Sequence, residues 1–125
     1  MSEALRKELV QRITRNLLDI QILRLIQTQP SWGYNIKKRI EAVFNVRIRH
    51  GALYPLLNEM ERKEFLTSQK QQQGGRTRKV YFITEKGKEY VECYENILKE
   101  QIQKRDIQYK DTHEERSTQE NKPTH

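Results

Sequence analysis

The chain has 125 residues, of which 34% are hydrophobic and 33% are charged, and its formal net charge is +7. A chain of this length forms one domain, and its small apolar fraction favours completing the core by pairing with a second copy. It has a single cysteine and no apolar run long enough for a signal peptide or a membrane span. This excludes an internal disulfide and predicts a cytoplasmic protein without a membrane partner.

Two helices are predicted at the start of the chain. Residues 3–14 have a narrow apolar stripe with four-residue spacing, formed by Leu5, Leu9 and Ile13. Residues 16–28 are apolar on more sides, which indicates a helix that is covered by other elements. Pro30 should end this second helix, because the residue before a proline avoids helical geometry.

A third helix is predicted over about 32–44, with Ser31 as its N-cap. Between residues 46 and 49, apolar side chains alternate with arginines. This two-residue period predicts a very short strand, which we expect to lie beside the later hairpin as its third strand.

A fourth helix is predicted from Gly51 to Lys63. Leu53, Leu56, Leu57 and Met60 form its apolar stripe. Pro55 fits a helix if it lies in the first turn, where a missing N–H has no partner to lose. It therefore places the helix start near residues 50–53.

A β-hairpin and a last helix follow. The hairpin arms are predicted at 65–72 and 78–84, with Gly74 and Gly75 at the tip. Thr84 is the expected cap of a helix over about 85–107. Residues 110–125 have no apolar pattern and are predicted to be a disordered tail.

This order of elements predicts an α+β fold that is mostly α: a winged helix-turn-helix core with an N-terminal helix and a long C-terminal dimerisation helix. The predicted domains are an N-terminal helical extension (1–15), a winged-helix DNA-binding domain (16–86), a C-terminal dimerisation helix (87–109) and the tail (110–125). In such a module one helix enters the DNA major groove, while the hairpin contacts the backbone or the minor groove.

The positive charge lies in this predicted DNA-binding region. Residues 31–86 carry twelve Lys and Arg and five Asp and Glu, whereas residues 1–30 have a net charge of +2 and residues 87–125 a net charge of −2. The middle segment alone therefore matches the charge of the whole chain. A polyanionic partner fits this distribution, and a merely soluble basic surface is the alternative.

Three stretches resemble the PadR family of winged-helix transcriptional regulators: LLDIQILRLIQTQPSWGYNIKKRI from Leu17, GALYPLLNEMERKEFL from Gly51 and GGRTRKVYFITEKGKEY from Gly74. The resemblance covers about seventy residues in order. It implies a homodimer that binds a palindromic operator, usually as a repressor, with the last helix of one subunit packed on the first helices of the other.

Three positions depart from the family pattern. Glu64 stands where many members have a glycine with a left-handed backbone, Thr77 where proline is common in the wing, and Trp32 where histidine is frequent. We therefore expect mild strain at Glu64 and a looser wing tip.

Double-stranded DNA is the predicted partner, and donors near the start of the inserted helix and on the wing would contact it. An amide such as that of Asn58 suits an adenine edge, and an arginine suits a guanine edge, a phosphate or a narrow minor groove. The predicted DNA-binding residues are Lys37, Lys38, Arg47, Arg49, His50, Tyr54, Asn58, Arg76, Arg78 and Lys79. The predicted dimer-interface residues are Leu5, Leu9, Ile13, Tyr90, Val91, Tyr94, Ile97, Leu98 and Ile102.

Catalysis has little support in the sequence. The three histidines do not cluster, no nucleophile has a base nearby, and there is no Cys/His metal spacing. No cofactor or metal is predicted, and the sequence does not identify a small-molecule effector. Two alternatives to a site-specific regulator stay open: an architectural protein that coats DNA with low sequence preference, and a winged-helix protein-interaction module. The sequence does not separate a repressor from an activator.

Overall fold

A computed structural model describes residues 2–104, apart from the side chain of Gln73. The predicted tail, 110–125, lies outside the described residues, as do residues 105–107 of the predicted last helix. The described chain contains α1 (Glu3–Asn16), α2 (Leu18–Thr28), β1 (Ser31–Trp32), α3 (Gly33–Phe44), α4 (His50–Arg62), β2 (Leu66–Gln73), β3 (Arg76–Ile83) and α5 (Glu85–Gln103). The architecture is α+β and mostly helical, as the sequence predicts.

The three strands form one antiparallel sheet in the order β1-β3-β2. Strands β2 and β3 make the hairpin, with Gln73 opposite Arg76 across a two-residue turn. Gly74 and Gly75 form this turn with φ values of 54° and 80°. Such a turn needs a left-handed backbone at both positions, which glycine adopts without a steric cost. The predicted wing is therefore a tight hairpin whose residues are fixed in register.

The prediction of a strand at 46–49 is wrong. The third strand is β1, which pairs with β3 through Ser31 opposite Tyr81 and Trp32 opposite Val80. The backbone groups of the 46–49 segment form hydrogen bonds with side chains instead of with another strand. The Gln11 side chain donates to the Arg47 carbonyl at 3.0 Å and accepts from the Arg47 N–H at 3.4 Å, and the Glu41 carboxylate accepts from the Ile48 N–H at 2.8 Å. Because side chains of α1 and α3 satisfy these groups, no sheet ladder is required there.

Two other local predictions are corrected. Ser31 is not the N-cap of α3, because it lies in β1 and its hydroxyl accepts a hydrogen bond from the Asn35 amide instead. The cap position belongs to Trp32, which makes no side-chain capping bond. Pro55 is the sixth residue of α4 and not part of its first turn, although the helix does start at His50, within the predicted range.

A single apolar core supports these elements, with α2 at its centre. Ile22 and Leu23 are fully buried, and the inward faces of α3, α4 and the sheet close around them. Val46 and Ile48 also point into this core, at 7% exposure each. The alternation of residues 46–49 therefore predicted correctly which side chains face the core and which face solvent, although the segment is not a strand.

The ends of α4 and α5 are linked through Thr84. Its hydroxyl accepts from the Gly87 N–H at 2.9 Å and so caps α5, as predicted; it also donates to the Glu64 carbonyl at 2.7 Å. Glu64 has a φ of 67°. This is the left-handed conformation expected from the family pattern, adopted here by a residue with a side chain.

The chain forms two compact units that divide inside α5, between Glu95 and Asn96. The domain boundaries expected from the sequence stay predictions. Within residues 2–104, no helix has both the length and the apolar character that crossing a bilayer requires.

Candidate nucleic-acid interface

Helix α4 has one buried face and one exposed face. Leu53, Leu57 and Met60 are buried and fix the helix on the core. The opposite face is exposed and includes Gly51, Tyr54, Pro55, Asn58 and Arg62. These positions recur every three or four residues, so they form one continuous stripe along the helix. A helix held in this way presents a polar and aromatic surface of the width that a DNA major groove accepts.

Tyr54 combines exposure with a fixed position. It is 43% exposed, and its ring lies against Gly33, the first residue of α3. The sequence predicts Tyr54 as a DNA contact, which requires exposure, but a tyrosine at this position can also pack on the domain. The structure shows that it does both, because the ring edge rests on α3 while part of the ring stays accessible.

Two arginines and a histidine surround the start of α4. Arg47, Arg49 and His50 are exposed, and Arg49 has the extended backbone of an N-cap, with φ −73° and ψ 147°. The bonds of Gln11 to Arg47 hold this segment against α1. Two guanidinium groups therefore lie next to a helix N-terminus, which itself favours an anion.

The carboxylates of α4 are engaged by neighbouring groups. Glu59 pairs with Arg62 at 2.6 Å and with Lys63 at 3.5 Å. Glu61 accepts from the Ser68 hydroxyl at 2.6 Å and pairs with Lys79 at 3.3 Å. The hydrogen bond from Ser68 has the largest effect and lowers the pKa of Glu61; burial opposes it, and the hydrogen bond and charge of Lys79 lower the pKa further, so that it stays below its usual value. Both carboxylates are therefore ionised and matched by cations, which limits their repulsion of a phosphate backbone.

The three cations of β3 have different surroundings. Arg76 is exposed, directly after the glycine turn. The Arg78 guanidinium lies over the Trp32 ring, 4.6 Å from its centroid, and its Nε is buried without a hydrogen-bond partner. Lys79 pairs with Glu61 and lies over the Tyr81 ring. Of these three, Arg76 is therefore the one that is free to reach a ligand, while Arg78 and Lys79 also hold the wing on the domain.

The two lysines of α3 also differ in how far they are exposed and paired. The Lys37 ammonium pairs with Glu41 at 3.4 Å, and only 16% of its side chain is exposed. Lys38 is exposed and lies 5.6 Å from the centroid of the Tyr34 ring. Lys38 is thus better placed than Lys37 to contact a DNA backbone.

Tyr34 is a candidate contact that the sequence did not predict. It is 54% exposed and lines a groove of about 400 Å³ together with Arg76, Thr77 and Arg78 of β3. The available signal was that Tyr34 falls off the apolar stripe of α3, so that its ring had no core position to occupy. An aromatic hydroxyl beside two arginines is a suitable donor to a phosphate.

The residues predicted for a dimer interface fall into two groups. In the first compact unit, Leu5 and Ile13 are 47% and 52% exposed on α1, with Leu9 half-buried between them. Val91 is 4% exposed and belongs to the core of the protomer, so it is not available to a partner.

Tyr90 and Tyr94 are half-buried on the same part of α5. Tyr90 stacks on Phe65 at 4.3 Å between ring centroids, and Tyr94 meets Tyr90 edge-on at 5.7 Å. In the second unit, Ile97 and Ile102 are 48% and 80% exposed, and Leu98 is half-buried.

A metal site is not found among residues 2–104. No group of three or more His, Cys, Asp or Glu side chains lies close enough to hold a metal ion in this range. Of the three histidines, His50 is exposed at the start of α4, and the other two fall outside the described residues.

Comparison with known proteins shows which family the chain resembles. The model of the "Transcriptional regulator PadR-like family" matches residues 22–93. A PadR family transcription regulator from Clostridium difficile is 27% identical, with a TM-score of 0.62 over 66% of this chain and 88% of that one. A transcriptional regulator from Clostridium thermocellum is 25% identical, with a TM-score of 0.63 over 78% and 99%.

A PadR family regulator from Eggerthella lenta, at 24% identity, shares the fold with a TM-score of 0.63 over 80% of this chain and 90% of that one. The comparison with curated proteins gave no significant match.

Proposed function

The chain belongs to the PadR-like family of transcriptional regulators, and we propose that it is a homodimeric repressor that binds a palindromic operator. The family makes it a DNA-binding transcription regulator and not an enzyme. The symmetry, the operator and the direction of regulation are our proposal. The cytoplasmic location expected from the sequence is part of it.

The observation that carries the proposal is the exposed stripe of α4 with cations at both of its flanks. Tyr54 and Asn58 lie on the exposed face, Arg49 and His50 lie at its start, and the exposed Arg76 follows the wing turn. In the proposed complex α4 enters the major groove, where Asn58 reads a base edge, and Arg76 enters the adjacent minor groove or contacts its backbone. Tyr34 and Lys38 contact phosphates beside it.

Exposed apolar side chains support the proposal that the chain is a homodimer. Leu5 and Ile13 on α1, and separately Ile97 and Ile102 on α5, are about half exposed or more. Large apolar side chains that recur along one face of a helix favour burial against another chain. A second copy would cover both sets, and its two-fold symmetry would place two α4 helices in successive major grooves about 34 Å apart.

Selection of bound sequences from a random duplex pool, at about 150 mM salt, tests the proposal. At this salt concentration non-specific phosphate contacts are weakened, so enrichment reports base readout. We expect an enriched palindrome whose half-sites are about one helical turn apart.

The other outcomes separate the alternatives. DNA binding without an enriched motif would support an architectural protein, and an absence of binding would support a protein-interaction module. A dimer with a palindrome that activates transcription of a reporter would overturn the repressor assignment alone.

A further inference from the structure

The 46–49 segment, which leads from α3 into α4, carries two of the predicted DNA contacts. Val46 and Ile48 point into the core at 7% exposure each, whereas Arg47 and Arg49 are exposed. Side chains two residues apart in an extended chain leave it on the same side. The backbone of this segment therefore sets the direction of both guanidinium groups beside the start of α4.

The side chain of Gln11, from α1, holds this backbone where a neighbouring strand would otherwise do so. No strand of the described residues pairs with the segment. The amide nitrogen of Gln11 donates to the Arg47 carbonyl at 3.0 Å, and its amide oxygen accepts from the Arg47 N–H at 3.4 Å. A carboxamide offers the same kinds of donor and acceptor as a peptide group, so one side chain satisfies both backbone groups of Arg47.

The contact of Gln11 is not the main anchor of the segment. Glu41 accepts from the Ile48 N–H at 2.8 Å in a part-buried bond, whereas the two bonds of Gln11 are longer and exposed. Exposed hydrogen bonds add little to stability, because water replaces them when they are lost. The buried side chains of Val46 and Ile48 would also keep the segment on the core without Gln11. Removing Gln11 should therefore change the direction of the backbone more than the fold.

We propose that Gln11 is a positioning residue for DNA binding. By holding both backbone groups of Arg47, it directs the guanidinium groups of Arg47 and Arg49 toward the phosphates beside the inserted α4. Gln11 makes no DNA contact itself; it removes backbone freedom whose loss would otherwise weaken DNA binding. This inference rests on the proposed function, because it requires α4 in a DNA groove. The family model matches residues 22–93, so Gln11 lies outside the matched region.

Gln11 lies on a different side of α1 from the proposed dimer interface. Leu9 and Gln11 are two residues apart in this helix, which places them about 200° apart around its axis. A partner that covers the stripe of Leu5, Leu9 and Ile13 therefore leaves the contact between Gln11 and Arg47 in place. Gln11→Ala should accordingly have the oligomeric state of the wild type in light scattering.

The contact is measured first without DNA, by solvent exchange of amide protons in NMR spectra of the full chain. In Gln11→Ala the Arg47 N–H should exchange about fivefold faster, as expected when one exposed hydrogen bond is lost. The Ile48 N–H, which Glu41 holds, should change less, and the melting temperature should fall by no more than about 5 °C. Unchanged exchange at Arg47 would show that Gln11 does not fix the segment and would overturn the proposal.

The role in binding is measured by fluorescence anisotropy with a duplex of mixed sequence. At about 50 mM salt, phosphate contacts alone support binding to such a duplex. Gln11→Ala should bind it about fivefold more weakly, an effect comparable to the loss of one phosphate contact. Gln27→Ala makes the same change at an exposed residue of α2 and should bind as the wild type does. Equal affinities of the two variants would refute the role of Gln11.

A double-mutant cycle separates positioning from a structural role. In a protein that already carries Arg47→Ala and Arg49→Ala, Gln11→Ala should change DNA affinity by less than about twofold, because the groups that Gln11 directs are absent. It should still accelerate exchange of the amide proton at position 47. An equal loss of affinity in both backgrounds would show that Gln11 acts through the fold or contacts DNA directly, and positioning would be refuted.

Failure of the proposed function would give a different result. A wild-type protein that binds no DNA would overturn the DNA-binding role of α4 and, with it, that of Gln11. The exchange measurement uses no DNA, so it would still report whether Gln11 fixes the segment. DNA binding by the wild type that is unchanged in Gln11→Ala would overturn the positioning role alone.

Discussion

The ring of Tyr54 occupies the space that a side chain at Gly33 would need. A Cβ atom added at Gly33 would lie 2.5 Å from Cε1 and 2.8 Å from the hydroxyl oxygen of Tyr54. The contact joins the first turn of α3 to the exposed face of α4. The absence of a side chain at position 33 therefore allows Tyr54 to rest on α3 while its ring stays 43% exposed.

Gly33→Ala should displace Tyr54 without unfolding the protein. The clash involves the far end of an exposed side chain, which can rotate away, so we expect stability to change by less than about 1 kcal/mol. DNA affinity should fall several-fold, because the ring loses its position. A double-mutant cycle with Tyr54→Ala checks the mechanism: Gly33→Ala should have no further effect on affinity in that background. An additive second loss would show that Gly33 acts independently of Tyr54.

Alanine substitutions of Arg76 and Arg78 should differ in their effects on stability. Arg76→Ala should lower DNA affinity by about fivefold near 150 mM salt and reduce the salt slope by about one, as loss of one phosphate contact does. Its thermal stability should stay at the wild-type value, because Arg76 is exposed. Fluorescence anisotropy across a salt series and thermal denaturation measure the two effects.

Arg78→Ala should also destabilise the fold, by about 0.5–1 kcal/mol, since it removes the guanidinium from the Trp32 ring. Arg12→Ala, which removes an exposed arginine of α1, should change neither property. Equal stability of Arg76→Ala and Arg78→Ala would contradict a structural role for Arg78.

A charge on the exposed apolar side of α5 should dissociate the proposed dimer. Ile97 is 48% exposed, so Ile97→Glu should be tolerated in an isolated protomer but not in an apolar interface, where an unpaired carboxylate is costly. Light scattering should report a monomer. Lys99→Glu, on the other side of the helix and with a larger charge change, should remain a dimer; a dimer in both variants would place the interface elsewhere.

Glu64→Gly should stabilise the protein. Glu64 has a φ of 67°, where a residue with a Cβ pays about 1–2 kcal/mol and glycine does not. Since glycine also loses more backbone entropy on folding, we expect a net gain of about 0.5–1 kcal/mol in urea unfolding. The matched variant Lys63→Gly changes a neighbour with a φ of −83° and should destabilise. A loss of stability in Glu64→Gly would mean that the side chain of Glu64 makes a contribution larger than the strain.

Glu41 should make stability depend on acid pH. Its hydrogen bond from the Ile48 N–H, and then the neighbouring Lys37, hold its pKa below the ordinary 4.5 despite the opposing effect of burial. A lowered pKa in the folded state gives a contribution that is present above pH 4.5 and is lost as the pH falls through the folded-state value. The loss in unfolding free energy between about pH 7 and pH 3 should therefore be smaller in Glu41→Gln. Glu8→Gln, which changes an exposed residue of α1, should keep the wild-type difference, and identical profiles of all three proteins would contradict this role of Glu41.

Much of the site could be predicted from the sequence. The stripe of α4, the glycine turn of the wing and the exposed Arg76 follow from periodicity and turn chemistry, which depend on neighbours along the chain. Tyr34 could not be assigned in this way, because its importance comes from β3, which lies more than forty residues later. The contact of Gln11 with the backbone of Arg47 was likewise invisible, since the two residues are 36 positions apart in sequence.

The sequence by itself determined the type and order of the helices, the hairpin, the inward and outward sides of residues 46–49, and the location of the positive charge. These properties are local, since each depends on side-chain spacing within a few residues. The tertiary structure alone decided that Ser31 and Trp32 form the third strand, that Arg78 lies on Trp32, and that Val91 is buried. Each of these depends on a partner distant in sequence, because a backbone or charged group takes the partner that folding brings within reach.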